Sequence, residues 1–548
     1  MAKKIVVIGG VAGGASAAAK ARREDEEAEV IVFEEGKYPS FANCGLPYYV
    51  GGTIEDRSSL LQVSPQRFDN WFGIDVRVEH QVTEIDREAK KVSVTNKQTK
   101  EEFKESYDKL IIATGARASK PPVPGIDLDK IFTLKTIPDA DAIVEQLEAS
   151  PTSAVVVGAG YIGIEATEEL AKRGLDVTLI EMQDQILPIL DKELTTPLTN
   201  HLQKKGINVL LEEKVGKFEE QEKITISLQS GQKLKTDFVV IATGAIPRLG
   251  LVEDAGLKVG KEGVVVNEWM QTSDPDIYAA GDITESKHLV TNDRINIPLA
   301  GPANKQGRIA GAHAAGRKNK EFAGVLGTNI IKVCDWTAGG TGLTEDDCKK
   351  EDINYYTVYT PKNNHAGYYP GAEKLIVKII IEEETGRLLG GQVVGKEGVD
   401  KQIDVLATAL SAQMTVEDLE DLDLAYAPPY SSAKSPTIMA GMIAADVLRG
   451  EMEIINPQDL KATLNNNEEI QLVDVRTKPE YEAGSIGDAK LIPLSDLREE
   501  VDKLDPQKRT VIYCAVGYRG YLAYKILKQN GFKEVENLTG GITAWNLL

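Results

Sequence analysis

Cysteine is scarce: Cys44, Cys334, Cys348 and Cys514 are the only four in a chain of 548 residues. That is too few for a disulfide framework and points to a reducing compartment in which one or two thiols do chemistry. Basic residues are outnumbered, 63 Lys and Arg against 84 Asp and Glu, leaving a formal charge of −21. An acidic surface repels phosphodiester backbones, so nucleic acid is excluded as a general partner, while a local basic patch for a small anion is still allowed. No stretch approaches the ~18 uninterrupted apolar residues of a membrane helix. The opening segment mimics a secretory signal, but Gly9, Gly10, Gly13 and Gly14 interrupt its apolar run. The chain therefore reads as cytoplasmic, with no membrane partner. No segment is low-complexity, and no metal-binding cluster is predicted.

What is present is enough sequence for about four domains at ~150 residues each. With 42% apolar and 27% charged residues, the composition is that of an ordinary globular protein. Short β-rich runs at 5–8, 30–33, 110–113, 154–157, 177–180 and 238–242 alternate with Ala-rich helical segments, the pattern of parallel α/β architecture. A unit of strand, Gly-rich turn, helix, strand and acidic residue occurs at 5–35 and again at 154–181, and Ala-Thr-Gly-Ala recurs at 113–116 and 242–245. Two Rossmann-like nucleotide-binding domains are implied. From 326 to 450 longer β runs precede helices, which predicts α+β. Ile454–Pro457 reads as a linker to a small α/β module over 458–548.

The first Gly-rich turn runs Ile5-Val-Val-Ile-Gly9-Gly-Val-Ala-Gly-Gly14 and opens a helix near Ala12. Such a turn offers backbone N–H groups and a helix N-terminus to a pyrophosphate. Glu34, 20 residues after Gly14, ends the next strand, where a carboxylate can accept from ribose hydroxyls. The middle glycine of the usual motif is replaced by Val11. The second turn fits that motif fully at Gly158, Gly160 and Gly163, with Tyr161 and Ile162 inside it and Gly244 in the second Ala-Thr-Gly-Ala. Glu181, 18 residues beyond Gly163, suits the free 2′-hydroxyl of NADH, while Lys172 and Arg173 leave NADPH open.

Two dinucleotide sites in one chain suggest hydride relay from a nicotinamide to a flavin. The phrase Asp276-Ile-Tyr-Ala-Ala-Gly-Asp282 resembles the flavin-binding phrase of the pyridine nucleotide–disulfide oxidoreductase family. The resemblance implies FAD, with Asp282 on its ribityl chain and Gly9, Gly14, Glu34, Thr114 and Gly115 around it. Ser40-Phe-Ala-Asn-Cys44-Gly-Leu-Pro-Tyr48 places Cys44 just before a helix start marked by Pro47, a context that predicts a reactive thiol with a lowered pKa.

That phrase is similar to the single-cysteine branch of the family, the coenzyme A disulfide reductases, NADH oxidases and NADH peroxidases. No second cysteine lies within forty residues of Cys44. Its redox partner is then an oxygen atom, as a sulfenic acid, or a substrate thiol, as a mixed disulfide. Oxidase and peroxidase members carry a histidine in the first Gly-rich turn; here the position is Ala12, as in the reductases. An oxidase or peroxidase working through a sulfenic acid is the alternative. Resemblance to the reductases, over about 1–447, implies a coenzyme A site at Ser16, Lys20, Arg23, Ser40, Asn43, Asn304 and Lys434. It also implies Tyr368 and Tyr426 beside the cysteine from the other subunit of a homodimer, with Tyr369 and Tyr430 as adjacent alternatives and 326–450 as the dimerisation domain. The domain plan is FAD-binding at 1–118 and 250–325, NAD(P)H-binding at 119–249, dimerisation at 326–450. Cys334 and Cys348 read as structural.

The C-terminal module carries Gln471-Leu-Val-Asp-Val-Arg476, Glu480-Tyr481, the loop Cys514-Ala-Val-Gly-Tyr-Arg519 and Thr539-Gly-Gly-Ile-Thr-Ala-Trp545. It resembles a rhodanese domain. A loop of this length suits a thiolate or persulfide held by inward N–H groups, with Arg519 adding positive charge. Ser485 stands where many rhodaneses have histidine. The retained Cys514 implies a sulfane-sulfur carrier. Together these resemblances predict reduction of coenzyme A disulfide, persulfide or polysulfide by NADH or NADPH through FAD and Cys44.

Overall fold

The computed structural model describes residues 2–318 and 320–548, in two compact units: one up to Ile186 with Gln203–Val325, the other Leu187–Leu202 with Leu326–Leu548. In the first unit the two predicted repeats lie in two five-stranded parallel sheets that share the order of four strands and differ at the edge, whose strand comes last in the chain in one sheet and first in the other. One runs Ile277–Ala279, Lys109–Ile112, Lys4–Ile8, Glu29–Glu34, Asp75–Val78; the other runs Ile131–Thr133, Phe238–Ile241, Ser153–Val157, Asp176–Ile180, Asn208–Leu210. Ile5, Val6 and Val7 are fully buried, as β-branched residues of a parallel sheet covered on both faces should be. Each sheet has an antiparallel three-stranded companion, His80–Asp86 with Lys91–Asn96 and Glu102–Ser106, and Val215–Glu220 with Ile224–Leu228 and Lys233–Thr236. The two Ala-Thr-Gly-Ala phrases converge: Ala116–Ala118 pairs antiparallel with Ala245–Pro247, tying the sheets together.

The helix Ala300–Ala314 lies directly on the first helix, Ala12–Glu24. A Cβ at Gly307 would stand 2.1 Å from the Gly13 carbonyl oxygen, and one at Gly311 would stand 2.1 Å from that of Ala17. Only glycine at both positions permits this approach, and the approach carries Asn304 to Ser16.

The second unit holds an antiparallel sheet of order Asn329–Val333, Trp336–Gly342, Leu388–Gly395, Lys374–Glu382, Tyr355–Asn363, backed by the helices Val399–Ser411 and Pro436–Leu448. The α+β texture expected from 326 onward is present. A parallel sheet follows, of order Ile454–Ile455, Val535–Leu538, Thr510–Tyr513, Gln471–Asp474, Lys490–Leu491. Here a sequence expectation is corrected: Ile454 and Ile455 are no linker but the edge strand of this sheet, paired with Asn537 and Leu538. Two residues are too few for a period-2 pattern to be seen. No helix among the described residues is long and apolar enough to cross a membrane.

Sequence patterning gave no hint of the charge cluster in the second unit. Lys378, on the strand Lys374–Glu382, is wholly buried, and its ammonium donates to Asp191 at 2.6 Å and to Glu193 and Glu345. Gln392 Nε2 also donates to Asp191, and the Tyr359 hydroxyl donates to Glu193. Burial pushes the Asp191 carboxyl up; Glu193, equally buried, is held down by Lys378 and Tyr359. Removing one partner from such a cluster strands the others in low dielectric. Lys378→Met is expected to cost about 3–5 kcal/mol, read from the denaturant midpoint of the second transition. A loss below about 1 kcal/mol would mean that neutral carboxyls, not the ammonium, hold the cluster together.

Candidate active sites

The first helix begins at Ala12 with Val11 as its N-cap and no side chain capping it, so its first N–H groups face outward from the Gly9–Gly14 turn. Gly9 has φ +97°, and a Cβ there would lie 2.3 Å from the Ala113 carbonyl oxygen, which is why the turn can close against the Ala113-Thr114-Gly115 corner. Glu34, buried at its strand end, accepts from the Gly10 and Gly36 N–H groups, each at 2.7 Å, and burial raises its pKa. The Thr114 hydroxyl is buried with no hydrogen-bond partner among the described residues. An uncapped helix, an acidic strand end and an unpartnered hydroxyl at one corner fit a dinucleotide. Asp282 lies at the end of the phrase that follows the edge strand Ile277–Ala279 and meets Lys135 at 3.3 Å.

The second turn repeats the geometry. Gly160 N-caps the helix Tyr161–Lys172 without a side-chain cap, Gly163 sits in its first turn, and Glu181 accepts from the Ala159 N–H at 2.7 Å and the Gln183 N–H at 2.9 Å. Gly158 and Gly244 hold left-handed backbone on either side of this turn, and Ile162 is partly exposed beside Tyr161. The two cations that sequence proximity made relevant are engaged elsewhere: Lys172 pairs with Glu168 and Glu169, and Arg173 donates to the Val50 carbonyl.

Cys44 lies in a short 3-10 turn, Asn43–Gly45, ahead of the helix Leu46–Gly51 with Pro47 in its first turn. The expected lowering of its pKa is overturned. Desolvation raises it, Glu165 and Asp282 add to the rise, and Lys135 pulls the other way. A six-residue helix supplies too little dipole to outweigh that surrounding. Glu165, on the helix Tyr161–Lys172, is itself raised by burial and accepts from the Tyr48 hydroxyl at 2.9 Å. Glu165, Tyr48 and Lys135 went unassigned in the sequence; the visible signal was that Glu165 lies two residues past Gly163. The thiol is exposed, and it is the only cysteine of its unit.

Along the first helix, Ser16 donates to Asn304 at 2.6 Å, Lys20 pairs with Glu24, and Arg23 is exposed. Ser40, with φ +49°, donates its N–H to Gly10, which sets it between the Gly-rich turn and Asn43-Cys44. Lys434 belongs to the other unit, as do Tyr368 and Tyr426, whose hydroxyls stand 3.1 Å apart on rings 77% and 49% exposed. The hydrogen bond between them raises the Tyr368 pKa. Tyr369 and Tyr430 are exposed without such a bond to that pair. Cys348 is buried, its thiol pushed up to about 12 by desolvation; Cys334 is half-buried.

Cys514 ends the strand Thr510–Tyr513 and is nearly buried; the Gly517 N–H donates to its sulfur at 3.1 Å. Arg519 lies in the first turn of the helix Tyr518–Gln529, and its guanidinium is clamped by both oxygens of Glu480, at 2.8 and 2.6 Å. Arg519 also meets the Cys514 sulfur as a charge and hydrogen-bond partner, so its positive charge, though paired with Glu480, does reach the loop.

The architecture and the cysteine place the chain in a class, two-dinucleotide flavoenzymes with one redox thiol, and comparison with known proteins agrees. Residues 3–318 match the pyridine nucleotide-disulphide oxidoreductase model, 328–436 that family's dimerisation domain, and 456–548 the rhodanese-like domain. The chain belongs to the pyridine nucleotide-disulphide oxidoreductase family. It is 39% identical over 440 residues to the coenzyme A disulfide reductase of Staphylococcus aureus, covering 80% of this chain and 99% of the relative. Reduced Bacillus anthracis CoADR-RHD superposes with a TM-score of 0.97 at 40% identity, over 100% of this chain and 98% of that one. An NAD-dependent persulfide reductase from A. fulgidus superposes at 0.91, also 40% identical, over 99% and 100%.

Because Glu165 raises and Lys135 lowers the Cys44 pKa, Glu165→Gln is expected to shift the pH profile of Cys44 alkylation by iodoacetamide downward. Lys135→Met should shift it upward, both read on the flavin-loaded, thiol-reduced enzyme. Unmoved profiles would remove both groups from control of the thiol.

Proposed function

We propose that the chain is a flavin-dependent reductase of coenzyme A-linked disulfide or persulfide, with Cys44 as its single redox thiol and Cys514 as a carrier of sulfane sulfur. The observation that carries this reading is the solitary Cys44: its unit offers no second cysteine, which supports a disulfide formed with substrate. A bound flavin supplies two-electron chemistry between nicotinamide and sulfur. The glycine turn with Glu34, Thr114, Gly115 and Asp282 would hold it, and the turn of Gly158, Gly160 and Gly163 with Glu181 would hold the nicotinamide nucleotide.

The Cys44 thiolate attacks one sulfur of the substrate disulfide. The S–S bond breaks, one coenzyme A leaves as thiolate, and the other stays on Cys44 as a mixed disulfide. With a coenzyme A persulfide the leaving group is hydrosulfide. Two-electron reduction of the mixed disulfide then returns the Cys44 thiolate and free coenzyme A. Ser16, Arg23, Ser40, Asn43 and Asn304 line the path of the pantetheine and phosphate arm, with Lys20 and Lys434 as further cations. A phenol of the Tyr368–Tyr426 pair, contributed across a homodimer, gives its proton to the leaving thiolate. The shared Tyr–Tyr hydrogen bond keeps that proton on the pair until the thiolate forms. Four cysteines in 548 residues, too few for a disulfide framework, support a cytoplasmic enzyme.

The oxidase alternative is not favoured. Ala12 stands at the helix start, and the histidines of this unit lie elsewhere: His80 on its strand, His288 and His313 buried.

Cys44→Ser is expected to abolish anaerobic NADH oxidation by both coenzyme A disulfide and coenzyme A persulfide; turnover surviving the change would sink the scheme. The persulfide is expected to turn over faster, because the second domain is built for sulfane sulfur. Since Glu181 ends its strand and Lys172 and Arg173 are engaged elsewhere, NADH should exceed NADPH in kcat/KM by about tenfold or more. Equal use of both would displace Glu181 as the selecting residue.

A further inference from the structure

We propose that the Cys514 loop selects sulfane donors whose reacting end carries at most one negative charge, organic persulfides rather than thiosulfate, and that Glu480 is the residue that selects. This rests on the sulfur-carrier reading of Cys514. The geometry is specific. Arg519, the one cation inside the loop, gives both arms of its guanidinium to Glu480. Glu480 is itself fixed: its Oε2 accepts from the Thr477 N–H at 3.0 Å and from the Thr477 hydroxyl at 2.7 Å, the capping box of the helix Lys478–Glu482. Arg519 holds the carboxyl far below the ordinary range, so the negative charge is permanent.

The second guanidinium near the loop is cancelled in the same way. Arg476 lies over the ring of Tyr513, the residue before Cys514, and is bound by Asp474 through Nε at 2.9 Å and Nη2 at 2.6 Å, its remaining contact being the Gly484 carbonyl. Ser485 beside it is neutral. The loop therefore offers a sulfur anion the Gly517 N–H and an Arg519 guanidinium whose charge Glu480 balances, for a net charge near zero. A Cys514 thiolate with an organic persulfide brings one or two negative charges to this cradle, while the thiolate with a thiosulfate dianion brings three, against a fixed carboxylate. Tyr518, 66% exposed within the loop, adds an aromatic surface that suits an organic group better than an inorganic oxyanion.

With an alkyl persulfide the Cys514 thiolate attacks the terminal sulfur. The donor S–S bond breaks, Cys514 gains the S–S bond with the sulfane sulfur and its proton, and the alkyl thiolate leaves. With thiosulfate the same attack expels sulfite, and every charge stays at the loop until it departs.

The test measures persulfide formation on the Cys514 peptide of the full-length, flavin-loaded enzyme by mass spectrometry, with thiosulfate and with cysteine persulfide as donors. Wild type is expected to load from the persulfide at least about tenfold faster, and Glu480→Gln, which keeps an acceptor for the Thr477 cap, to raise the thiosulfate rate about tenfold while the persulfide rate changes less than about threefold. Arg519→Gln, leaving Glu480 unpaired, should slow thiosulfate more than persulfide. Equal loading of wild type by the two donors, or a parallel fall of both rates in Glu480→Gln, would overturn the selection and leave Glu480 a mere positioner of Arg519. No loading from either donor would overturn the sulfur-carrier reading with it.

Discussion

A disulfide needs two sulfurs, and Cys44 has no second cysteine in its unit. Everything around it follows from that constraint. On the proposed reading the other half of the disulfide arrives as a substrate, which requires an accessible residue, and Cys44 is exposed. It must also be approached along a surface that can hold a long anionic thiol. The surface proposed for it is the first helix, with Ser16 on the face that Asn304 joins and Arg23 exposed further along. That surface exists because Gly307 and Gly311 let a second helix lie within backbone contact of the first.

The same constraint explains why a raised Cys44 pKa is compatible with redox chemistry. In the chain alone, desolvation and two carboxylates favour the thiol, with Lys135 opposing them. A mixed disulfide carries no charge, so a surrounding that penalises thiolate favours the resting disulfide over the free anion. Reactivity then depends on groups that arrive with the substrate and cofactor rather than on the short helix that follows Cys44. The Tyr48 hydroxyl donates to Glu165, which joins the helix after Cys44 to the helix Tyr161–Lys172.

Much was legible in the sequence because the chemistry sits on contiguous phrases. The strand–turn–helix repeats, the strand-ending Glu34 and Glu181, the Cys44 phrase and the Cys514 loop each declare themselves within a dozen residues or at a fixed offset, since backbone geometry ties turn to helix to strand end. What was not legible is what long-range packing assembles. Lys378 reads as one more charged residue on a strand, yet it gathers Asp191, Glu193 and Glu345 from distant segments. Lys135 and Glu165 belong to no motif, and Glu480, visible as part of the module's signature, gave no sign that it faces Arg519. The linker expected at Ile454–Pro457 failed for a different reason, a strand too short to show alternation.

Charge logic joins the two ends of the molecule. With a formal charge of −21, the protein would repel coenzyme A and every sulfur oxyanion unless local fields were arranged against that background. It meets that need mostly without free cations. Lys20, Lys172, Lys378, Arg476 and Arg519 each have a carboxylate of their own. Attraction is left to backbone N–H groups, at the uncapped starts of the helices Ala12–Glu24 and Tyr161–Lys172 and in the Cys514 loop, and to the exposed Arg23. Backbone donors are aimed and short in reach, so they bind an anion only where its shape fits. An enzyme that handles low-molecular-weight thiols among many other cellular anions gains discrimination from that arrangement, and loses only the long-range pull that its net charge had already forgone.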